Sequence, residues 1–152
     1  MKSIFLFIPF FIACIGLNPS QKNDKEQIEK FLAIVATKDF KENKKEIEAF
    51  TIALKTETDS LTSRRLEFFY LLVDSYHQDL QDKDIKKLVV ISYKDLPKKE
   101  QNILTEVEPE DSIYIVKYNE KHLFTISMNG NLIKSLSVMS KGTQGKKIIV
   151  TL

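Results

Sequence analysis

The sequence predicts an α+β domain in which about three N-terminal helices pack on one face of a C-terminal antiparallel sheet of four to five strands. Three observations support this fold class. Between residues 24 and 80, apolar side chains recur at the three- and four-residue spacing of amphipathic helices. Beyond Asp84 the apolar period shortens towards two, as in strands. The pair Asn129–Gly130 is typical of a tight hairpin turn, because both residues accept positive φ.

The first predicted helix covers Asp24–Thr37. Asp24–Gln27 has the form of a capping box, in which side chains bond the free amides at a helix start. Its apolar positions follow the spacing i, i+3, i+4, i+7 and are Ile28, Phe31, Leu32 and Val35.

Asn43 is predicted to cap a second helix. The apolar stripe of that helix consists of Ile47, Phe50, Thr51 and Leu54, with Lys and Glu on the other faces.

The third predicted helix, Ser60–Leu80, is expected to be the main helix of the core. One stripe contains Leu66, Phe69, Tyr70, Val73 and Tyr76, and the stripe is widened by Phe68, Leu71 and Leu72. A helix that is apolar around most of its girth is typical of a central, buried position.

The C-terminal half is predicted to be mostly strands. These are Lys87–Tyr93, Ser112–Tyr118, His122–Met128, Leu132–Met139 and the final residues 147–152. After the first strand, Asp95–Pro97 begins a short helical turn that extends to Ile103.

The register of the hairpin in residues 122–139 is left open between two arrangements. A two-residue turn would place Ile126 opposite Ile133, whereas a three-residue loop would place Met128 opposite Leu132. We favour the three-residue loop, because it gathers more apolar side chains on one face of the hairpin.

The order of these elements is similar to that of NTF2-like and cystatin-like folds, in which helices lie across a curved antiparallel sheet. The similarity covers most of a single domain at residues 24–152 and rests on element order alone. Because such folds include enzymes as well as binding modules, the similarity implies neither function over the other.

Composition restricts the chemistry that the chain supports. The 152 residues carry a formal net charge of +2, without the lysine and arginine clusters of a nucleic-acid surface, so we expect no nucleic-acid partner. The single cysteine excludes an internal disulfide and a cysteine-based structural zinc site. With only two histidines as well, the sequence predicts no metal site and no cofactor.

The N-terminal leader has the features of an export signal. Lys2 precedes an uncharged run from Ile4 to Leu17, which is shorter than the ~20 residues of a transmembrane helix and contains Pro9. A short basic start, a brief apolar core and small residues after it are typical of secretory signals.

The end of the apolar run, Phe11–Cys14, carries a more specific signal. The sequence Phe-Ile-Ala-Cys resembles the lipobox of bacterial lipoproteins: Ala13 fits the pattern, Phe11 replaces the usual leucine, and Ile12 is bulkier than the usual residue. The resemblance implies cleavage before Cys14 and attachment of lipid to its thiol.

Under this interpretation, residues 1–13 are a signal peptide and residues 14–23 a tether rich in Gly, Asn, Pro and Ser. The protein would then be exported and anchored in the bacterial cell envelope through Cys14. Cleavage after Gly16 is the alternative, and it would release a secreted or periplasmic soluble protein. An uncleaved anchor is the third possibility.

No catalytic pattern stands out in the folded part. Asp79, Asp82 and Asp84 lack the glycine and distal glutamate of a calcium loop and are interpreted as a polar helix end. The stretch Gly142–Lys147 spaces its glycines too closely for a phosphate-binding loop.

We therefore expect a non-catalytic binding module, whose partner is another envelope protein or a peptide at a sheet edge, or a small apolar ligand between the third helix and the sheet. The rival hypothesis is a cone-shaped α+β enzyme or ligand-binding domain. Its pocket would be lined by Phe69, Tyr76 and His77, with His77 as a general base.

Overall fold

The helices of the N-terminal half lie against an antiparallel sheet from the C-terminal half, which confirms the predicted α+β class. The computed structural model describes residues 19–52, 60–101, 112–141 and 146–150. Its helices are α1 (Pro19–Val35), α2 (Lys44–Glu48), α3 (Ser60–Leu80) and α4 (Lys98–Gln101), with short 3-10 turns at Phe40–Asn43, Ile85–Lys87 and Tyr93–Asp95. The strands are β1 (Leu88–Ser92), β2 (Ser112–Tyr118), β3 (Lys121–Asn129), β4 (Leu132–Ser135), β5 (Ser137–Lys141) and β6 (Lys146–Val150).

The main sheet has the order β1-β2-β3-β4, and each neighbouring pair is antiparallel. β5 and β6 form a separate two-stranded antiparallel sheet. The first four strands therefore follow the chain as a meander, which places β1 at one edge and β4 at the other.

The apolar core lies between the helices and one face of the main sheet. Its fully buried members include Phe31, Leu32, Val35, Phe69, Val73, Val116, Ile126 and Ile133. The rings of Phe31 and Phe69 join α1 to α3, with centroids 6.4 Å apart. Burial of each large apolar side chain stabilises the fold by about 1.5–3 kcal/mol.

Within the described residues α1 spans Pro19–Val35, so it already includes the five residues before the predicted start at Asp24. Asp24 is therefore not a capping residue: it lies inside α1, is 3% exposed, and accepts a hydrogen bond from the Tyr114 hydroxyl at 2.9 Å. Residues 19–23 of the predicted tether are helical.

Helix α2 is shorter than predicted. Asn43 occupies its N-cap position but makes no side-chain cap bond. After Glu48 the chain leaves the helix, since the carbonyl of Phe50 accepts a hydrogen bond from the Ile133 amide at 2.6 Å. Thr51 forms a parallel bridge with Ile133, and Leu54 lies outside the described residues. Bonding to β4 thus replaces the predicted continuation of the helix.

Helix α3 spans Ser60–Leu80 as predicted, but it is amphipathic. Phe69 and Val73 are fully buried, whereas Phe68 is 39% and Leu71 is 65% exposed. The prediction that apolar residues surround a buried helix is wrong for these two residues, because they lie on the face of α3 that is exposed within the described part of the chain.

The β3–β4 hairpin adopts neither register that the sequence left open. Met128 pairs with Ile133 and Asn129 with Leu132, so the turn consists of Gly130 and the residue after it. Gly130 has φ +58°, and the first central position of both primed hairpin turns requires positive φ. The observed register also buries Met128 and Ile133 together in the core.

The predicted strand Leu132–Met139 is broken at Leu136. The side chain of Leu136 is buried, and its carbonyl accepts a hydrogen bond from the Tyr76 hydroxyl at 2.6 Å. At the break, the Ser135 hydroxyl bonds both backbone groups of Ser137. These side-chain bonds compete with the β ladder, so the chain leaves the main sheet and pairs as β5 with β6.

Candidate functional site

The outer side of β1 is the candidate site, and we call it the β1 edge. β1 pairs with β2 on one side, from Leu88 opposite Tyr118 to Ser92 opposite Tyr114. Within residues 19–52, 60–101, 112–141 and 146–150, no strand pairs with its other side. An edge strand presents a row of unpaired amides and carbonyls that can bond an added strand.

The two edges of the main sheet differ. On β4, Ile133 bonds Phe50 and bridges Thr51, so residues from the α2 region cover part of that edge. β1 consists of Leu-Val-Val-Ile-Ser and has none of the proline, charge or bulge with which proteins block an edge strand. Val89 is 50% exposed.

A groove runs between α1 and β1 on the core side of the sheet, and we call it the α1–β1 groove. Its volume is about 370 Å³, and its walls are formed by Glu29, Leu32, Ile85, Lys86, Leu88 and Val90. Leu32 and Val90 belong to the buried core, and Ile85 and Leu88 pack against it. The groove therefore has an apolar floor with one carboxylate and one ammonium group among its walls.

The side chains of β1 alternate between the two faces of the sheet. Val90 belongs to the core and Leu88 packs against it, so these two face the α1–β1 groove. By the two-residue period of a strand, Val89 and Ile91 point to the opposite face.

Exposed lysines surround β1 along the chain, and we call them the flanking lysines: Lys86, Lys87, Lys94, Lys98 and Lys99. No ion pair joins any of them to a carboxylate within the described residues. The stretch from Asp84 to Lys99 contains only two carboxylates, and Asp84 already accepts a hydrogen bond from the Lys86 amide at 3.1 Å. The surroundings of the β1 edge are thus positively charged.

The three residues of the predicted pocket contact different parts of the molecule. Phe69 is fully buried beside Phe31. Tyr76 stacks on Phe124, with ring centroids 3.7 Å apart, and both rings line a cavity of about 370 Å³ between α3 and the sheet, to which neither Phe69 nor His77 contributes. Burial raises the pKa of the Tyr76 phenol above its ordinary value, so the group stays protonated and donates to Leu136.

His77 contacts the end of α1 and the 3-10 turn at Phe40–Asn43. Its ring stacks on Phe40, with centroids 4.3 Å apart, and Nδ1–H donates to the carbonyl oxygen of Val35 at 2.8 Å. A carbonyl only accepts, so this bond places a proton on Nδ1 and ties the end of α1 to α3. The contacts give His77 a structural role. His122 bonds the Thr125 hydroxyl through Nε2 at 3.0 Å.

Two further tyrosines join elements of the fold. Tyr70 donates to the carboxylate of Glu48, and Tyr114 donates to that of Asp24. Burial, with a smaller contribution from the neighbouring carboxylate, raises the pKa of both phenols. These groups hold α2 to α3 and α1 to β2.

Among the residues that the structure describes, no three His, Cys, Asp or Glu side chains come together as a metal site. None of the helices in the same part of the chain is long and apolar enough to cross a membrane. Cys14 lies outside the described residues, as does most of the glycine-containing stretch 142–147.

Sequence reasoning did not identify the groove residues as a site. The uncharged run Leu88–Ser92 between lysines is the signal that could have indicated a binding edge. Which strand lies at an edge depends on the order of the strands, and periodicity does not show that order.

The chain was compared with known proteins at three levels. No protein-family model, curated protein or solved structure matches it. The functional inference therefore rests on the leader residues and on the geometry of the β1 edge.

Proposed function

We propose that the protein is an exported, lipid-anchored module of the bacterial cell envelope that binds a partner through the β1 edge and catalyses no reaction. The observation that carries the binding role is the unpaired β1 edge beside the apolar α1–β1 groove. Addition of a strand to such an edge is a common mode of peptide and protein recognition.

The contacts of the titratable groups support a binding role over a catalytic one. His77 is held by Phe40 and by the carbonyl of Val35. The buried carboxylate of Asp24 is held by Tyr114. A general base needs access to a substrate proton. The Asp24 carboxylate is buried and lacks that access, and His77 uses Nδ1–H and one face of its ring to join elements of the fold.

The anchoring role rests on the leader. Cys14 ends an apolar run that is too short for a membrane span, after a basic start. One acyl chain gives only marginal membrane binding, so stable anchoring requires more than one chain on the processed cysteine.

Metabolic labelling with a fatty acid tests the anchor. The wild-type protein should incorporate the label, and Cys14→Ser should not, with Ser63→Ala as a control that keeps the leader intact. The mass of the mature N-terminus should correspond to a chain that begins at a lipid-modified Cys14. A mature chain that begins after Gly16 would contradict the lipid anchor and support a secreted protein.

Photo-crosslinking in the producing bacterium tests the binding role. A photoreactive side chain at Val89, which is exposed on β1, should give adducts of higher mass. The same group at Leu71, which is exposed on α3, is the matched control and should give none. Equal crosslinking at both positions would contradict a binding role for the β1 edge.

A further inference from the structure

We propose that the β1 edge takes up an extended acidic peptide segment as an additional strand, with apolar side chains in the α1–β1 groove and carboxylates against the flanking lysines. This proposal rests on the binding role proposed above and names the partner class of the same site. It commits to a segment of another protein, with apolar residues at alternate positions and acidic residues at both ends.

The backbone of β1 supplies the first part of the recognition. A strand added beside Leu88–Ser92 would bond the unpaired amides and carbonyls of the edge, as β2 does on the other side. Such bonds require an extended backbone in the partner and do not depend on its side chains.

The α1–β1 groove supplies the second part. Side chains of an added strand alternate between the two faces of the sheet, so every second residue would project to the core side. There the groove offers Leu32, Leu88 and Val90 as an apolar floor and a volume of about 370 Å³. This geometry selects apolar residues at alternate positions of the partner.

Charge supplies the third part and distinguishes an acidic partner from a second copy of the chain. In an antiparallel pairing of two β1 strands centred on Val90, the 3-10 turn that holds Lys86 and Lys87 would lie near the second copy's turn that holds Lys94. Lysine ammonium groups would then gather at both ends of the strand pair, and their repulsion opposes such a dimer. Lys86 and Lys87 before the strand and Lys94 after it would instead attract carboxylates at both ends of an added strand.

A binding titration with defined probe peptides tests the proposal. The acidic probe alternates threonine and valine and carries paired glutamates at each end, whereas the basic probe carries lysines at those ends. The mature protein, purified in detergent, should bind the acidic probe roughly tenfold or more tightly than the basic one, since several weak ion pairs at the two ends of the strand add together. Raising the salt from about 0.15 to 1 M should reduce the difference.

Two variants connect binding to the site. Lys86→Glu combined with Lys94→Glu should reverse the preference between the acidic and basic probes. Lys38→Glu combined with Lys45→Glu makes the same change of net charge at exposed lysines outside this region and should retain the preference. A proline in the centre of the acidic probe, which removes a backbone donor, should abolish binding.

Hydrogen exchange measured with and without the peptide locates its binding site. The acidic probe should slow exchange at amides of Leu88–Ser92 and leave those of α3 unchanged. Protection elsewhere, equal affinity for the two probes, or no binding would overturn the proposal, as would a stable dimer that the double variant disrupts. If Val89 crosslinks a partner while no probe binds, the acidic-peptide inference fails and the proposed binding role stands; if neither occurs, both fail.

Discussion

The Tyr114 hydroxyl donates a hydrogen bond to Oδ2 of Asp24 at 2.9 Å, and this bond joins β2 to α1 across 90 positions of the chain. Both side chains are buried, with 3% of Asp24 and 1% of Tyr114 exposed. The pair therefore lies where α1 packs against β2. It replaces the capping role that the sequence predicts for Asp24.

Removing the hydroxyl should destabilise the protein. Tyr114→Phe leaves a buried carboxylate oxygen without this partner, and a buried group left unsatisfied costs about 1–3 kcal/mol. Urea unfolding should show this loss in the free energy of unfolding. In a double-mutant cycle with Asp24→Ala, which removes the acceptor, strictly additive losses would contradict a direct interaction between the two residues.

Stability should fall at alkaline pH because of the buried tyrosines. Burial raises the pKa of Tyr76, so the folded protein retains a proton that the unfolded chain loses near pH 10. The stability from this group is fully present below the unfolded pKa and is lost as the pH rises through about 10 towards the folded pKa. The free energy of unfolding, measured between pH 8 and pH 11, should decline less steeply in Tyr76→Phe than in the wild type. Identical slopes would contradict the assignment.

Replacing one residue of the β2–β3 turn with glycine should stabilise the protein. Glu120 has φ +63° and Asn119 has φ +49°. A left-handed conformation costs a residue with a Cβ about 1–2 kcal/mol, partly offset by the greater entropy of unfolded glycine. Glu120→Gly should therefore raise the free energy of unfolding by about 0.5–1 kcal/mol. Glu120→Ala removes the same charge but keeps the Cβ, and an equal gain in that variant would exclude the backbone explanation.

Two serines that pair across β3 and β4 should respond in opposite ways to alanine. The buried hydroxyl of Ser127 has no hydrogen-bond partner within the described residues. Ser135, opposite it, bonds both backbone groups of Ser137. Ser127→Ala should be neutral or stabilising, whereas Ser135→Ala should lose about 1 kcal/mol. Thermal unfolding of the two variants checks this, and a larger loss at Ser127 would indicate a partner for its hydroxyl.

The sequence pattern predicted secondary structure best where the structure of a segment depends on residues within that segment. Ser60–Leu80 and Ser112–Tyr118 have the predicted bounds, since their apolar period and their turn residues lie within the segment itself. The prediction failed where a distant group competes. Phe50 bonds β4 in place of a helical partner, and the break at Leu136 is held by the Tyr76 hydroxyl.

In the candidate site, too, the sequence predicted local features but not contacts between distant residues. The sequence predicts a largely buried strand at Lys87–Tyr93 and marks Cys14 as a predicted anchor. The strand is there, but Val89 is half exposed, since β1 lies at an edge of the sheet. The sequence did not show that Phe69, Tyr76 and His77 have separate neighbours, because the contacts of each residue are set by the elements that pack against α3 at that point.

The sequence by itself determined the fold class, the main helix and the central strands, because periodicity and turn chemistry are local properties of the chain. Only the tertiary structure decided the hairpin register, the burial of Asp24 and the covering of the β4 edge by residues 50–51. It also decided that β1 has an unpaired side facing a groove on α1. These features depend on hydrogen bonds and contacts between residues far apart in the chain, and those are set when helices and strands pack together.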